Sequence, residues 1–157
     1  MGPADRFYVR RPIERRDRGL RCRLFVEIHP PYGTASNATK NFPVATYGTE
    51  AIVDTGSERT LIRADIADRI GLELSNFTDI VIPGVPKPVE CFTAYAQLRF
   101  SGDNHRIWGV PCDIVVVKDM RHEVLLGMDS FEEGEIRVNF RENWWSFQVT
   151  GEPTHDA

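Results

Sequence analysis

The stretch of this chain whose residue types and spacing suit chemistry is Ala51-Ile52-Val53-Asp54-Thr55-Gly56-Ser57. An apolar run with the look of a buried strand delivers a carboxylate, then a small hydroxyl, then glycine. A carboxylate presented at the end of a strand can take or give a proton in general acid–base work. Glycine lets another backbone approach closely. The hydroxyls of Thr55 and Ser57 can bond nearby backbone or the carboxylate itself. Asp, Gly and Ser also form ordinary β-turns, so the triplet alone decides nothing and its context must. That context is the apolar run before Asp54, the segment Thr60-Leu61-Ile62 where a next strand would begin, and the distant run Val124-Leu125-Leu126-Gly127-Met128-Asp129.

Other reactive residue types form no competing pattern. His29, His105, His122 and His155 stand beside turns or in the C-terminal tail, without a Ser or Cys nucleophile motif. Cys22, Cys91 and Cys112 are odd in number, widely spaced and free of any CxxC pair, which reads as reduced thiols. No His/Cys/Asp spacing fits a metal, so none is expected. Glu132, Glu133 and Glu135 read as a solvated acidic face.

The chain has 157 residues with 41% hydrophobic and 27% charged, an ordinary globular composition that excludes wholesale disorder and collagen-like or coiled-coil structure. No apolar run approaches the roughly 20 residues of a membrane helix, and no secretory h-region is visible, so a cytoplasmic protein without a membrane partner is expected. The net charge of −4 is uneven. Residues 1–23 hold eight arginines against Asp5, Glu14 and Asp17, leaving a basic start on an acidic body. The expectation is a flexible basic arm over residues 1–22 and a polar tail over 151–157. Aromatic interleaving and a nucleic-acid fold motif are both missing, so nucleic acid is not an expected partner.

The elements between those tails read as mostly β. Arg23 to Ile28 alternates, Val44 to Val53 is a further strand, and Thr60 to Ile62 is a short one. Ala64 to Ile70 has helical spacing with Gly71 as its C-terminal cap. Asp79 to Ile82 and Val89 to Phe100 flank Pro83-Gly84-Val85-Pro86-Lys87-Pro88, a hairpin with a stiff tip. Ile107 to Val117 and Val124 to Leu126 are apolar strands. Ser130 to Glu133 has room for one helical turn, and Ile136 to Phe140 pairs with Trp144 to Val149 as a closing hairpin.

On Asp54-Thr55-Gly56 together with Leu125-Leu126-Gly127, the chain resembles the retropepsin-like (retroviral-type) aspartic proteases, over roughly Arg23 to Val149 in element order. The resemblance implies an all-β fold over residues 23–150: a closed β-barrel of the retroviral aspartic protease type, with one short helix or two and a flap hairpin, assembled as a homodimer. It implies that Asp54 is the catalytic carboxylate and that Thr55 locks two active-site loops together across the dimer. Gly56 would offer its backbone to substrate, and Ser57 follows in the loop. Pro83, Gly84, Val85 and Pro86 would form the flap tip over a peptide or protein substrate. Leu126 and Gly127 would pack beneath the catalytic loop. No metal or organic cofactor is implied. Peptide hydrolysis of this kind uses two carboxylates sharing a proton, and the chain holds one such triplet. The active unit would therefore be a two-fold dimer with a mildly acidic optimum.

Departures are visible. Retroviral members pair an Arg after the motif glycine with an Asp two residues beyond the triplet; here Met128 and Glu58 stand in those places. Arg59 and Asp129 are the candidates to replace that pair. Two other readings stay open. One is a weak or inactive dimeric peptide-binding module of the same fold, motivated by the proline-rich flap. The other is an unrelated β-domain whose arginine arm binds nucleic acid. Trp144 to Val149 and the arm before Leu24 are the candidate dimer-interface segments, with one of Trp144 and Trp145 facing the core and the other the partner.

Overall fold

Leu24, Val26 and Ile28 alternate with Arg23, Phe25 and Glu27, and a period of two sends one set inward and the other outward. In the computed structural model, which describes residues 6–16, 19–31, 45–81 and 86–150, that stretch is the middle of β3. In chain order the strands are β1 (Tyr8–Pro12), β2 (Glu14–Arg16), β3 (Gly19–His29), β4 (Tyr47–Val53) and β5 (Leu61–Arg63). The helix α1 (Ala64–Arg69) follows, then β6 (Ser75–Ile80), β7 (Val89–Ser101), β8 (Ile107–Val117) and β9 (Val124–Leu126). A 3-10 turn (Met128–Ser130), β10 (Gly134–Asn139) and β11 (Trp144–Val149) complete it.

Six strands pair in the order β3, β4, β9, β5, β8, β7, and β7 returns to pair with β3. The sheet therefore closes on itself as an all-β barrel, with β2 and β6 as flanking additions. Closure removes the exposed edges an open sheet would present. Inside lie Leu24, Val26 and Ile28 with Ile62, Leu98, Ile114 and Leu126, capped by Ile66 of α1. The run Ile114 to Val117 is apolar throughout because this end of β8 is buried on both faces. Ile114 and Val116 face the barrel interior, while Val115 and Val117 join Leu61 and Cys91 in a second cluster.

The strand insertion that matters for function is β9. It lies between β4 and β5, parallel to the first and antiparallel to the second. Consecutive strands β4 and β5 are thus held two strand-spacings apart, and the chain from Asp54 to Thr60 must arch over the end of β9. α1 ends as expected from its cap: Gly71 takes φ +71, a left-handed conformation glycine adopts freely. The short helical turn is displaced from its expected place at Ser130–Glu133 to Met128–Ser130. It forms directly where β9 runs out beneath the arch.

The arginine-rich start is not a loose arm where it is described. β1 pairs along its whole length with β11, Val9 opposite Phe147, and β2 pairs with β3. Phe7, Val9 and Ile13 are buried in the main core. The arginines stitch this segment down. Arg6 donates to the Thr150 carbonyl, Arg11 to Asp103, and Arg15 to the Asn143 side chain and the Phe140 carbonyl. Arg10 lies 4.2 Å over the Trp144 ring and Arg23 pairs with Glu14. What makes the arm look detachable is its charge; charge says nothing about which carbonyls and rings lie within reach of a guanidinium. Deleting residues 1–16 removes three buried apolar side chains, each contributing about 1.5–3 kcal/mol. The shortened chain is expected to lose its cooperative thermal transition in differential scanning calorimetry; an unchanged transition would show that β1 adds nothing.

Within its own chain β11, one of the candidate interface segments, is the central strand of a three-stranded sheet. β11 sits between β1 and β10 of its own chain, so both its edges are used. Trp145 is fully buried, the one of the pair that faces the core, and Arg10 lies over the Trp144 ring.

Candidate active site

Asp54 is the first residue after β4, and its amide donates to the Leu126 carbonyl at 2.9 Å, tying the start of the loop to β9. The loop then turns sharply. Gly56 N–H donates to the Asp54 Oδ1 at 3.1 Å and Ser57 N–H to the Asp54 carbonyl at 3.1 Å. Thr55 and Gly56 are exposed at the crest. Among the described residues no cation pairs with the Asp54 carboxylate, which is partly open.

The segment after β9 rungs onto the underside of this loop. Met128 N–H donates to the Ser57 carbonyl at 2.8 Å and Asp129 N–H to the Glu58 carbonyl at 3.2 Å. Gly127 is required by the approach itself. A Cβ there would overlap the Arg59 carbonyl, far inside van der Waals contact, and would lie 2.9 Å from the Arg59 nitrogen. The motif puts Leu126 and Gly127 beneath the loop, and both are found against it: Leu126 through its carbonyl, Gly127 through its missing side chain.

Thr60, which belongs to neither motif, is the centre of this junction. It is fully buried. Its N–H donates to Asp129 Oδ2 at 3.0 Å, and its hydroxyl lies 2.7 Å from Asp129 Oδ1 and 2.6 Å from Ser130 Oγ. Gly127 N–H donates to the same hydroxyl at 3.1 Å. The available signal is one of paired offsets: a hydroxyl six places after Asp54 and a carboxylate two places after Gly127. Arg59 and Asp129 do not replace the retroviral ion pair with one another. Arg59 donates to the Asp113 carbonyl at 2.8 Å, and Asp129 serves Thr60.

A groove of about 550 Å³ opens beside Asp54. Its polar side is Asp54, Gly56, Ser57, Glu58 and Arg59, and its apolar side is Leu61, Ile80, Val81, Val115 and Leu125. The apolar side is the outer face of β5, β8 and β9, the same residues that make the second cluster continuous with the surface. The β6–β7 hairpin reaches this groove at its base: Ile80 pairs with Val89, and Ile80 and Val81 line the wall. Of the expected tip, Pro83, Gly84 and Val85 lie outside the described residues, and Pro86 is exposed.

Cys112 lies behind the loop with its thiol 3.4 Å from Asp129 Oδ2. Burial, then the Asp129 charge and hydrogen bond, push this thiol up to about 12. An unfolded thiol ionises near 8.5, so the folded state holds the proton longer. Its contribution to stability is complete below the unfolded value and is lost as pH rises from about 8.5 toward 12. The urea midpoint of the wild type is expected to fall between pH 8 and pH 10 more steeply than that of Cys112→Ala; parallel falls would contradict it. Among the described residues no group of His, Cys, Asp and Glu converges as a metal site, and no helix there is long and apolar enough to cross a membrane.

A family model described as aspartyl protease matches residues 45–130, which takes in the Asp54 loop, the groove and Gly127. The chain belongs to this family. Its fold is similar to that of the retropepsin-like aspartic protease from Rickettsia conorii, with a TM-score of 0.53 and 14% identity over 92% of this chain and 94% of that one. The retroviral protease-like domain of Ddi1 from Leishmania major gives 0.44 and 14%, covering 86% of this chain and 98% of that one. EIAV protease in complex with an inhibitor gives 0.46 and 17%, covering 76% and 92%. No curated protein matches. Membership of the aspartyl protease family and the retropepsin-like fold support a protease-type function, and the loop carrying Asp54 falls inside the matched segment.

Proposed function

We propose that this protein is an aspartic endopeptidase whose active unit is a homodimer, with Asp54 of each copy forming one catalytic dyad. The observation that carries the reading is the single Asp-Thr-Gly triplet of the chain, with its carboxylate at the edge of an apolar groove and no cation against it among the described residues. Two carboxylates facing each other cannot both ionise cheaply and share one proton. The ionised member takes a proton from a water molecule, whose oxygen attacks the peptide carbonyl. The protonated member donates to the carbonyl oxygen, and the tetrahedral intermediate collapses with the C–N bond breaking and the amine leaving protonated.

In this reading Thr55 and Gly56, exposed at the crest, meet their copies and the substrate. Ser57 continues the loop, and the segment Pro83 to Pro86 closes over an extended peptide. Leu61, Val115 and Leu125 receive apolar side chains of a strand-like substrate. The experiment is a peptide-library digest at several pH values with wild type and Asp54→Asn, alongside the mass in solution. Cleavage that fades above neutral pH, is lost in the variant and belongs to a dimer supports the reading. A dimer that binds peptide and never cleaves would favour the peptide-binding module instead.

A further inference from the structure

We infer that Asp129 is a positioning residue for Asp54, acting through Thr60; this deepens the proposed hydrolase reading and rests on it for its kinetic arm. A threonine hydroxyl has one proton to donate and two lone pairs to accept. The Thr60 hydroxyl uses all three. Gly127 N–H donates to it. An ionised Asp129 can only accept, so the Thr60 proton goes to Asp129 Oδ1, and Ser130 must then donate to Thr60. The second carboxylate oxygen accepts the Thr60 amide and the Cys112 thiol. The chain of bonds therefore runs in one direction, from Ser130 through Thr60 to Asp129.

This knot fixes both ends of the structure that holds Asp54. Thr60 ends the Asp54 loop, and Gly127 follows Leu126, the residue whose carbonyl receives the Asp54 amide. Removing the carboxylate leaves the buried Thr60 N–H and the Cys112 thiol without their acceptor and forces the Thr60 hydroxyl to turn to Ser130, a cost the site meets by moving. An amide in its place has a different outcome. Its oxygen can accept the Thr60 amide while its NH₂ donates to the Thr60 hydroxyl, provided that hydroxyl turns to donate to Ser130. The bond direction reverses and the geometry survives. What the site needs from residue 129 is thus a planar, two-pronged group rather than a charge.

The test compares Asp129→Ala and Asp129→Asn in the full chain, well below their melting temperatures. Asp129→Ala is expected to lower kcat about 100-fold with KM little changed, the size of effect that small misplacement of a reacting group produces. Asp129→Asn is expected to restore kcat to the wild-type order of magnitude. Amide hydrogen exchange supplies a readout independent of cleavage: in Asp129→Ala the Asp54, Thr60 and Gly127 amides exchange faster while those of β3 and β7 do not. Wild-type kcat in Asp129→Ala, or exchange that quickens equally throughout the barrel, would overturn the inference. A wild type that cleaves nothing sinks the hydrolase reading, and the exchange pattern still decides the role of Asp129.

Discussion

Asp54→Asn is expected to abolish peptide cleavage while leaving the fold and assembly intact. The amide keeps an oxygen where Oδ1 accepts the Gly56 N–H, so the loop turn has its acceptor and stability should move by no more than about 0.5 kcal/mol. What is lost is chemistry. A dyad needs one member to accept a proton and the other to donate one, and each such role contributes typically 10²–10⁴-fold. Replacing both copies removes both roles, so kcat should fall by about 10⁴-fold or more. The melting temperature and solution mass, measured on the same preparation, separate this from unfolding. Equal cleavage by variant and wild type would place the activity elsewhere.

Gly127→Ala has the largest expected effect on the fold of any single substitution considered. Its methyl would occupy the space of the Arg59 carbonyl and press on the Arg59 nitrogen. The obstacle is backbone, held in the arch by Ser57, Glu58 and Thr60 through the bonds to residues 127–129, so no side chain can rotate away to relieve it. Overpacking of this kind costs about 3 kcal/mol, which for a chain of this size lowers the melting temperature by about 6–12 °C. Because relief requires the arch to lift off β9, activity should fall further than stability explains. A variant that melts and cleaves like wild type would mean the loop is not seated on Gly127.

A feature of this fold is legible in the amino-acid sequence where its signal is local. Alternation in residues 23–28 and 89–100 marks β3 and β7, and the helical spacing ahead of Gly71 marks α1, because a period of two or of 3.6 is written along one segment. The Asp54 and Gly127 motifs are legible for the same reason. The insertion of β9 between β4 and β5 is not, since pairing partners far apart in the chain leave no trace in either strand. Thr60 and Asp129 are hard to see as a pair for the same reason: each is an ordinary polar residue, tied to the other only by its offset from a motif, and the crossing brings them together. The segment from Phe7 to Ile13 reads as a loose arm because its arginines mask Phe7, Val9 and Ile13, three apolar residues buried in the core. That β11 is flanked by β1 and β10 of its own chain is another pairing across a long sequence separation that neither strand announces.

The central claim is that two copies of one carboxylate make the site, and a mixing experiment tests it most directly. Wild type and Asp54→Asn are unfolded, combined in varied proportion at constant total protein, and refolded so that subunits pair at random. If each site needs Asp54 from both copies, the cleavage rate falls as the square of the wild-type fraction. A rate that falls in simple proportion to that fraction would show that one chain suffices, and the shared dyad would be wrong.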